Sequence, residues 1–230
     1  MSNFNEVIPK DSKNFIFIGE AGSGKSEIAI NLAINLAVNS NKRVHFFDMD
    51  MTKALFRSRD LSEKLINLGI EFHYQEQYMD APTLVGGVSH LLRDKDSIVI
   101  MDIGGDYIGA RSIGGFAPLL NKDNTVIYYV INSLRPWSYD IEHIDGTLSQ
   151  ILKVSHINLD RIKLIDNSNL GVETTEEDYL KGNNEIIENV TPYMAIEFSC
   201  VKRTIYENVV NKVNLPIVPI DLYLIYEWVH

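Results

Sequence analysis

Apolar residues in this chain gather in short unbroken runs, separated by longer stretches in which they recur every three or four positions. The runs are Asn14-Phe15-Ile16-Phe17-Ile18, Arg43-Val44-His45-Phe46-Phe47-Asp48, Ser97-Ile98-Val99-Ile100-Met101-Asp102, the segment 125–131 (TVIYYVI) and Arg161-Ile162-Lys163-Leu164-Ile165-Asp166. Runs of this kind suit parallel strands buried on both faces. Residues 27–38 (EIAINLAINLAV) instead place Ile28, Leu32 and Leu36 on one stripe and Ala29, Ala33 and Ala37 beside it, the spacing of a helix. Helices are also expected over 54–68, with Leu55, Leu61, Leu65 and Leu68 inward and Gly69 closing it, and over 83–92 and 138–154.

Strand and helix patterns alternate along the whole length. They predict an α/β fold of βαβ units: a mostly parallel sheet with helices on both faces and right-handed crossovers. Less regular pieces complete it: extended segments at 70–74 and 193–198, a helix over 201–210, and a last strand over 215–220. Its prolines, Pro216 and Pro219, favour an edge. Thr174 and Glu177, three apart, read as a capping box, and 221–230 as a final helix. No Pro/Gly/Ser-rich linker or repeat interrupts 1–230, so one domain is expected.

Polar residues fall at the ends of the runs. Asp48, Asp50, Asp102, Asn132 and Asn167 all stand at expected strand C-termini. In open parallel sheets a ligand lies beyond those ends. Between the first strand and first helix lies Gly19-Glu20-Ala21-Gly22-Ser23-Gly24-Lys25-Ser26, which meets every fixed position of G-x-x-x-x-G-K-[ST]. Backbone N–H groups of such a loop, with the helix N-terminus behind them, converge on phosphate. Lys25 would reach the β- and γ-phosphates, and the Ser26 hydroxyl would ligate Mg²⁺. The fold is therefore expected to be a single-domain P-loop nucleoside-triphosphatase. Asp102, ending a buried strand, is the natural Walker B acid, holding Mg²⁺ directly or through a water. Asp102-Ile103-Gly104-Gly105 reads as D-x-x-G, in which the Gly105 N–H would meet a γ-phosphate.

Composition narrows the setting. The 230 residues are 45% hydrophobic and 23% charged, ordinary for a globular chain. With 31 acidic against 21 basic residues, the formal charge of −10 argues against DNA as a partner. The one cysteine, Cys200, suits a reducing cytoplasm and leaves only a pairing across a dimer for a disulfide. The start MSNFNEVIPK is no secretory signal, and no run is long enough to span a membrane. The six histidines show no metal-ligand spacing.

A phosphate loop, then a strand ending in Asp48-x-Asp50, then a strand ending in Asp102, resembles the ParA/MinD group of ATPases over residues 14 to about 220. That group sits in a wider set with dethiobiotin synthetase, cobyrinic acid amide synthases, nitrogenase iron protein and nickel-insertion ATPases. The resemblance implies that Asp50 orients the hydrolytic water, that Asp48 supports Mg²⁺, and that Asn167 reads a nucleobase, adenine. Expected nucleotide contacts are Gly19, Glu20, Ala21, Gly22, Ser23, Gly24, Lys25, Ser26 and Glu27, with Gly105 and Asn167. The expected catalytic set is Lys25, Asp48 and Asp50, and the metal set Ser26, Asp50 and Asp102. ATP and Mg²⁺ are the expected cofactors.

One position departs. ParA/MinD-type loops carry an extra lysine that reaches across a dimer; here Glu20 and Ala21 stand in its place. Lys53, Arg57 and Arg59 are candidate substitutes, with Arg111 and Arg135 behind them. The resemblance thus implies a nucleotide switch acting on a protein partner, with a homodimer possible. Because synthetase loops can carry an acid at the Glu20 position, ATP-dependent small-molecule synthesis is the alternative. No basic amphipathic C-terminal helix argues for membrane anchoring.

Overall fold

The computed structural model describes residues 3–50, 62–74, 82–105, 107–136, 138 and 140–224. Lys53, Arg57, Arg59, Asp106, Trp137 and the segments 75–81 and 225–230 lie outside the described residues. In chain order the elements are α1 (Phe4–Val7), β1 (Asn14–Ile18), α2 (Lys25–Asn39), β2 (Arg43–Met49), α3 (Ser62–Asn67), β3 (Ile70–Tyr74), α4 (Pro82–Leu91) and β4 (Ser97–Ile103). Then follow α5 (Tyr107–Ser112), α6 (Ala117–Leu120), β5 (Thr125–Ile131), α7 (Ile141–Ser155), β6 (Ile162–Asp166), α8 (Glu176–Val190), β7 (Ile196–Lys202), α9 (Tyr206–Val209) and β8 (Ile217–Ile220).

The eight strands form one sheet in the order β3-β2-β4-β1-β5-β6-β7-β8, and every neighbouring pair is parallel. The chain builds outward from β1 to one side, then returns past it to build the other. The loop after β1 therefore opens at the point where the winding reverses, where an open sheet leaves a crevice.

Alternation along each strand divides the core. Phe15, Phe17, Phe46, Ile100 and Tyr128 face α2, which presents Ile28, Ala29, Leu32, Ala33 and Leu36. Ile16, Ile18, Phe47, Met101 and Ile127 face the other way, against Val88, Ala110, Ile144, Leu148 and Ile186. Each fully buried Leu or Ile on α2 contributes roughly 2 kcal/mol. The inner face expected of 54–68 holds at Leu65, which is buried, but not at Leu68, which is 38% exposed. Gly69, at φ 80°, takes the left-handed conformation that ends this helix.

Four expectations are corrected. The capping box of α8 joins Thr175 to Asp178, whose Oδ2 accepts the Thr175 N–H at 2.9 Å while the Asp178 N–H donates to Thr175 Oγ1 at 3.1 Å. Thr174 is unavailable, because its hydroxyl donates to the Gly171 carbonyl and accepts from the Leu170 N–H. The strand expected at 193–198 is β7, shifted toward the C-terminus. Its ladder to β8 continues through Val201 and Lys202, so helix begins only after a 3₁₀ turn at Arg203–Ile205. Residues 221–224 carry no helix, since their backbone groups bond to α2 side chains instead. Cys200 is wholly buried, where desolvation raises its thiol pKa, so no disulfide to another copy can form from this position without unfolding β7.

Candidate nucleotide-binding site

The loop 19–24 leaves β1 and enters α2 through three glycines with positive φ, Gly19, Gly22 and Gly24. At Gly24 the need is also steric: a Cβ there would stand 2.1 Å from Asn167 Nδ2. The Asn167 amide donates to the Ser23 carbonyl at 2.7 Å, tying the end of β6 to the loop. Asn132 at the end of β5 joins the loops after β5 and β6, donating to the Asn169 carbonyl at 2.9 Å and accepting the Leu134 and Asn169 N–H groups. Gly105 closes the opposite side, where a Cβ would come within 2.5 Å of the Ala21 nitrogen. Lys25 is buried and folded over the loop, with Nζ donating to the Glu20 carbonyl at 2.8 Å.

Asp48 and Asp102 are direct neighbours in the β2–β4 ladder, so their carboxylates share one rim. Asp50 follows two residues on, its N–H donating to Asp48 Oδ1 at 3.3 Å, and its own carboxylate lies against Gly104. Asp102 is buried at 2% exposure, and its Oδ1 has no hydrogen-bond partner among the described residues. Burial first, and the Asp48 charge second, push its carboxyl up to about 7, against the pull of Lys25 and a hydrogen bond from Ser26. A buried carboxyl group with an orphan oxygen, flanked by two more acids and the loop hydroxyl, is a donor set suited to a hard divalent cation. These residues fit Mg²⁺.

Three residues behave in ways their motif positions do not reveal. The Glu20 carboxylate accepts the Thr147 hydroxyl of α7 at 2.7 Å. The Glu27 carboxylate accepts the backbone N–H groups of Tyr223 and Leu224 at 2.9 and 2.8 Å, holding the chain beyond β8 against the start of α2. Arg135, in the loop after β5, lies over the phosphate loop: a Cβ on Gly22 would be 3.4 Å from its Nε. That Nε is buried and without a hydrogen-bond partner among the described residues. Arg111 is exposed on α5.

Beneath the rim, Asp166 is buried and accepts from Ser168 N and Oγ, Asn183 Nδ2 and Ser199 Oγ at 2.6–3.0 Å. Burial pushes its carboxyl pKa up while these donors hold it down. No run or spacing marked this residue beyond its place at a strand end; Asn183 and Ser199 carry no sequence signal at all.

With this geometry in view, the comparison with known families is decisive. The family described as the CobQ/CobB/MinD/ParA nucleotide binding domain matches residues 15–193. The chain belongs to this family. No curated protein matches it by sequence. Among solved structures it resembles a candidate plasmid partition protein from Borrelia burgdorferi B31 bound to AMPPNP, at 16% identity and TM-score 0.52, covering 89% of this chain and 92% of that one. FlhF complexed with GTP/Mg²⁺ resembles it at 14% identity and TM-score 0.50, with 84% of this chain and 66% of that one covered. Chloroplast FtsY from Physcomitrella patens does so at 12% identity and TM-score 0.50, covering 84% and 63%. The chain spans about two thirds of the FlhF and FtsY chains, and at these identities the likeness is one of fold. Among the described residues no helix is long and apolar enough to cross a membrane.

Proposed function

We propose that this member of the family binds Mg²⁺-ATP at the rim of β1, β2 and β4 and hydrolyses it as a switch that acts on a protein partner. The observation that carries this reading is the Asp102 carboxyl group, buried beside Ser26 and Asp48 with one oxygen unpartnered among the described residues. Ser26 and Asp102 would hold Mg²⁺ there, and the ion would supply positive charge against that of the phosphates. Lys25 would exchange the Glu20 carbonyl for phosphate, Ser26 and Asp102 would hold the metal, with Asp48 in support, and Asp50 would orient the attacking water. Gly105 would report the γ-phosphate through its N–H.

Glu20 is no obstacle to this chemistry while Thr147 holds its carboxylate toward α7. Arg135 is our candidate for the missing lysine, a guanidinium of the same chain resting on Gly22. A cation in cis would make hydrolysis independent of a second copy, although nucleotide-dependent pairing of two copies remains compatible with the family.

The test is phosphate release by the purified chain, alone and with a metabolite panel. Slow basal turnover that requires Mg²⁺, ignores every metabolite and is lost in Asp50→Ala with ATP still bound supports the switch. Turnover that depends on one metabolite carboxylate or amine would establish the synthetase alternative instead. Retained binding with no turnover in the native chain would leave a nucleotide-holding module.

A further inference from the structure

The β2–β3 ladder brings together a group of side chains unrelated to the phosphate rim. His45 is the direct partner of Glu71, and Phe47 of His73, in parallel register. Because strand side chains alternate, His45, Glu71 and His73 share one face at the outer edge of the sheet. His45 Nδ1 stands 3.3 Å from His73 Nε2 and 3.3 Å from Glu71 Oε2. One ligand atom from each of the three residues lies within 4.8 Å of the others.

A single proton on His45 Nδ1 would have to be shared between two acceptors. A neutral His45 has at most one proton on Nδ1, and both the His73 nitrogen and the Glu71 carboxylate converge on that atom. A divalent cation satisfies all three at once. Zinc-to-nitrogen and zinc-to-oxygen bonds of about 2.0–2.2 Å in a tetrahedron require ligand atoms roughly 3.3–3.5 Å apart. The two closest separations already meet that demand.

We propose that His45, Glu71 and His73 form a site for a borderline transition-metal cation of the zinc class, distinct from the Mg²⁺-nucleotide rim. Two imidazoles and one carboxylate match the nitrogen and oxygen preference of such ions. Burial lowers the pKa of both imidazoles, keeping them in the neutral, ligating form at pH 7. His45 is buried and fixes one ligand, while Glu71 has half its side chain in solvent and provides the entry route. With three protein ligands, a fourth position stays open to water or a partner group. Among the described residues β3 is an edge strand paired only to β2, so the ion would clasp that edge of the sheet.

The test is calorimetric titration of the whole chain with ZnCl₂ in excess Mg²⁺, which occupies the rim, followed by thermal melts with and without zinc. The expected result is one equivalent bound at about micromolar Kd or tighter, with the midpoint of unfolding raised. His73→Ala and Glu71→Gln should each weaken binding at least about tenfold, while His143→Ala, whose imidazole pairs with Asp140 at the N-terminus of α7, should not. Glu71→Gln alters a half-exposed side chain and keeps the test valid if a histidine variant fails to fold. Absence of zinc binding, binding unchanged in both His73→Ala and Glu71→Gln, or zinc displaced by Mg²⁺ would overturn the assignment.

Discussion

Thr147 Oγ1 donates to Glu20 Oε1 across 2.7 Å, and this bond sets which way the one acid of the phosphate loop faces. Glu20 lies where an acid would repel phosphate, yet its charge is directed to α7. Replacing Thr147 by Val removes a hydrogen bond of about 1 kcal/mol and frees the carboxylate to approach the loop. Mg²⁺-AMPPNP affinity is expected to fall roughly fivefold in Thr147→Val and to recover in the Glu20→Gln/Thr147→Val double variant. Native affinity in the single variant would show that the orientation of Glu20 is irrelevant.

Arg135 lies over Gly22, and its buried Nε has no hydrogen-bond partner among the described residues. If it stabilises charge during transfer, Arg135→Ala should lower kcat by about 100-fold while nucleotide affinity changes little. Arg135→Lys should restore only part, because an ammonium lacks the planar fork of guanidinium. Unchanged turnover in Arg135→Ala would return the question to a cation outside the described residues or from a second copy.

Asp102 makes the site pH-dependent. Its folded-state value of about 7 lies above the ordinary 3.8, so the folded chain holds this proton more tightly than the unfolded chain. Without metal, its stabilising contribution is complete below pH 3.8 and is lost as pH rises toward 7. On the proposed reading, Mg²⁺ would have to displace that proton. Affinity for Mg²⁺-nucleotide should therefore climb through pH 6 to about 7, at most tenfold per pH unit, and level off above. Titrations across this range check it, and Asp102→Asn should bind weakly with a flat profile.

The strands were legible because burial on both faces leaves each as an apolar run with a polar end, and β1, β4 and β5 need no tertiary information to be seen. The segment 107–120 (YIGARSIGGFAPLL) was not, since its glycines blur the helical period that α5 and α6 nonetheless adopt. The sequence pattern pointed to Thr174 with Glu177; the Gly171 carbonyl, which engages Thr174, leaves the box to Thr175 and Asp178. At the site, the loop and the acids of β2 and β4 were legible as motifs. The contacts that decide how they work were not. Glu20 and Thr147 are 127 residues apart, and His45 meets Glu71 and His73 only through strand register.

Asp166 offers a test of how the loops around the site are held. Its four donors come from β6's own exit (Ser168), from α8 (Asn183) and from β7 (Ser199), and Tyr179 extends the network by donating to Ser199 at 2.8 Å. Asn167, which ties to the Ser23 carbonyl, is the residue between Asp166 and Ser168. In Asp166→Asn one acceptor becomes an NH₂ group that faces donors, leaving buried groups unpaired. The loss should be about 3 kcal/mol, read as a lower urea midpoint with an unchanged m-value. Because Ser168 is freed with it, nucleotide affinity should fall as well, whereas Asn183→Asp, which faces a second carboxyl toward Asp166, should destabilise the fold most strongly above the pH at which the pair shares a proton. An Asp166→Asn chain with native stability and native nucleotide affinity would mean that the rim is held by the loop and α2 alone.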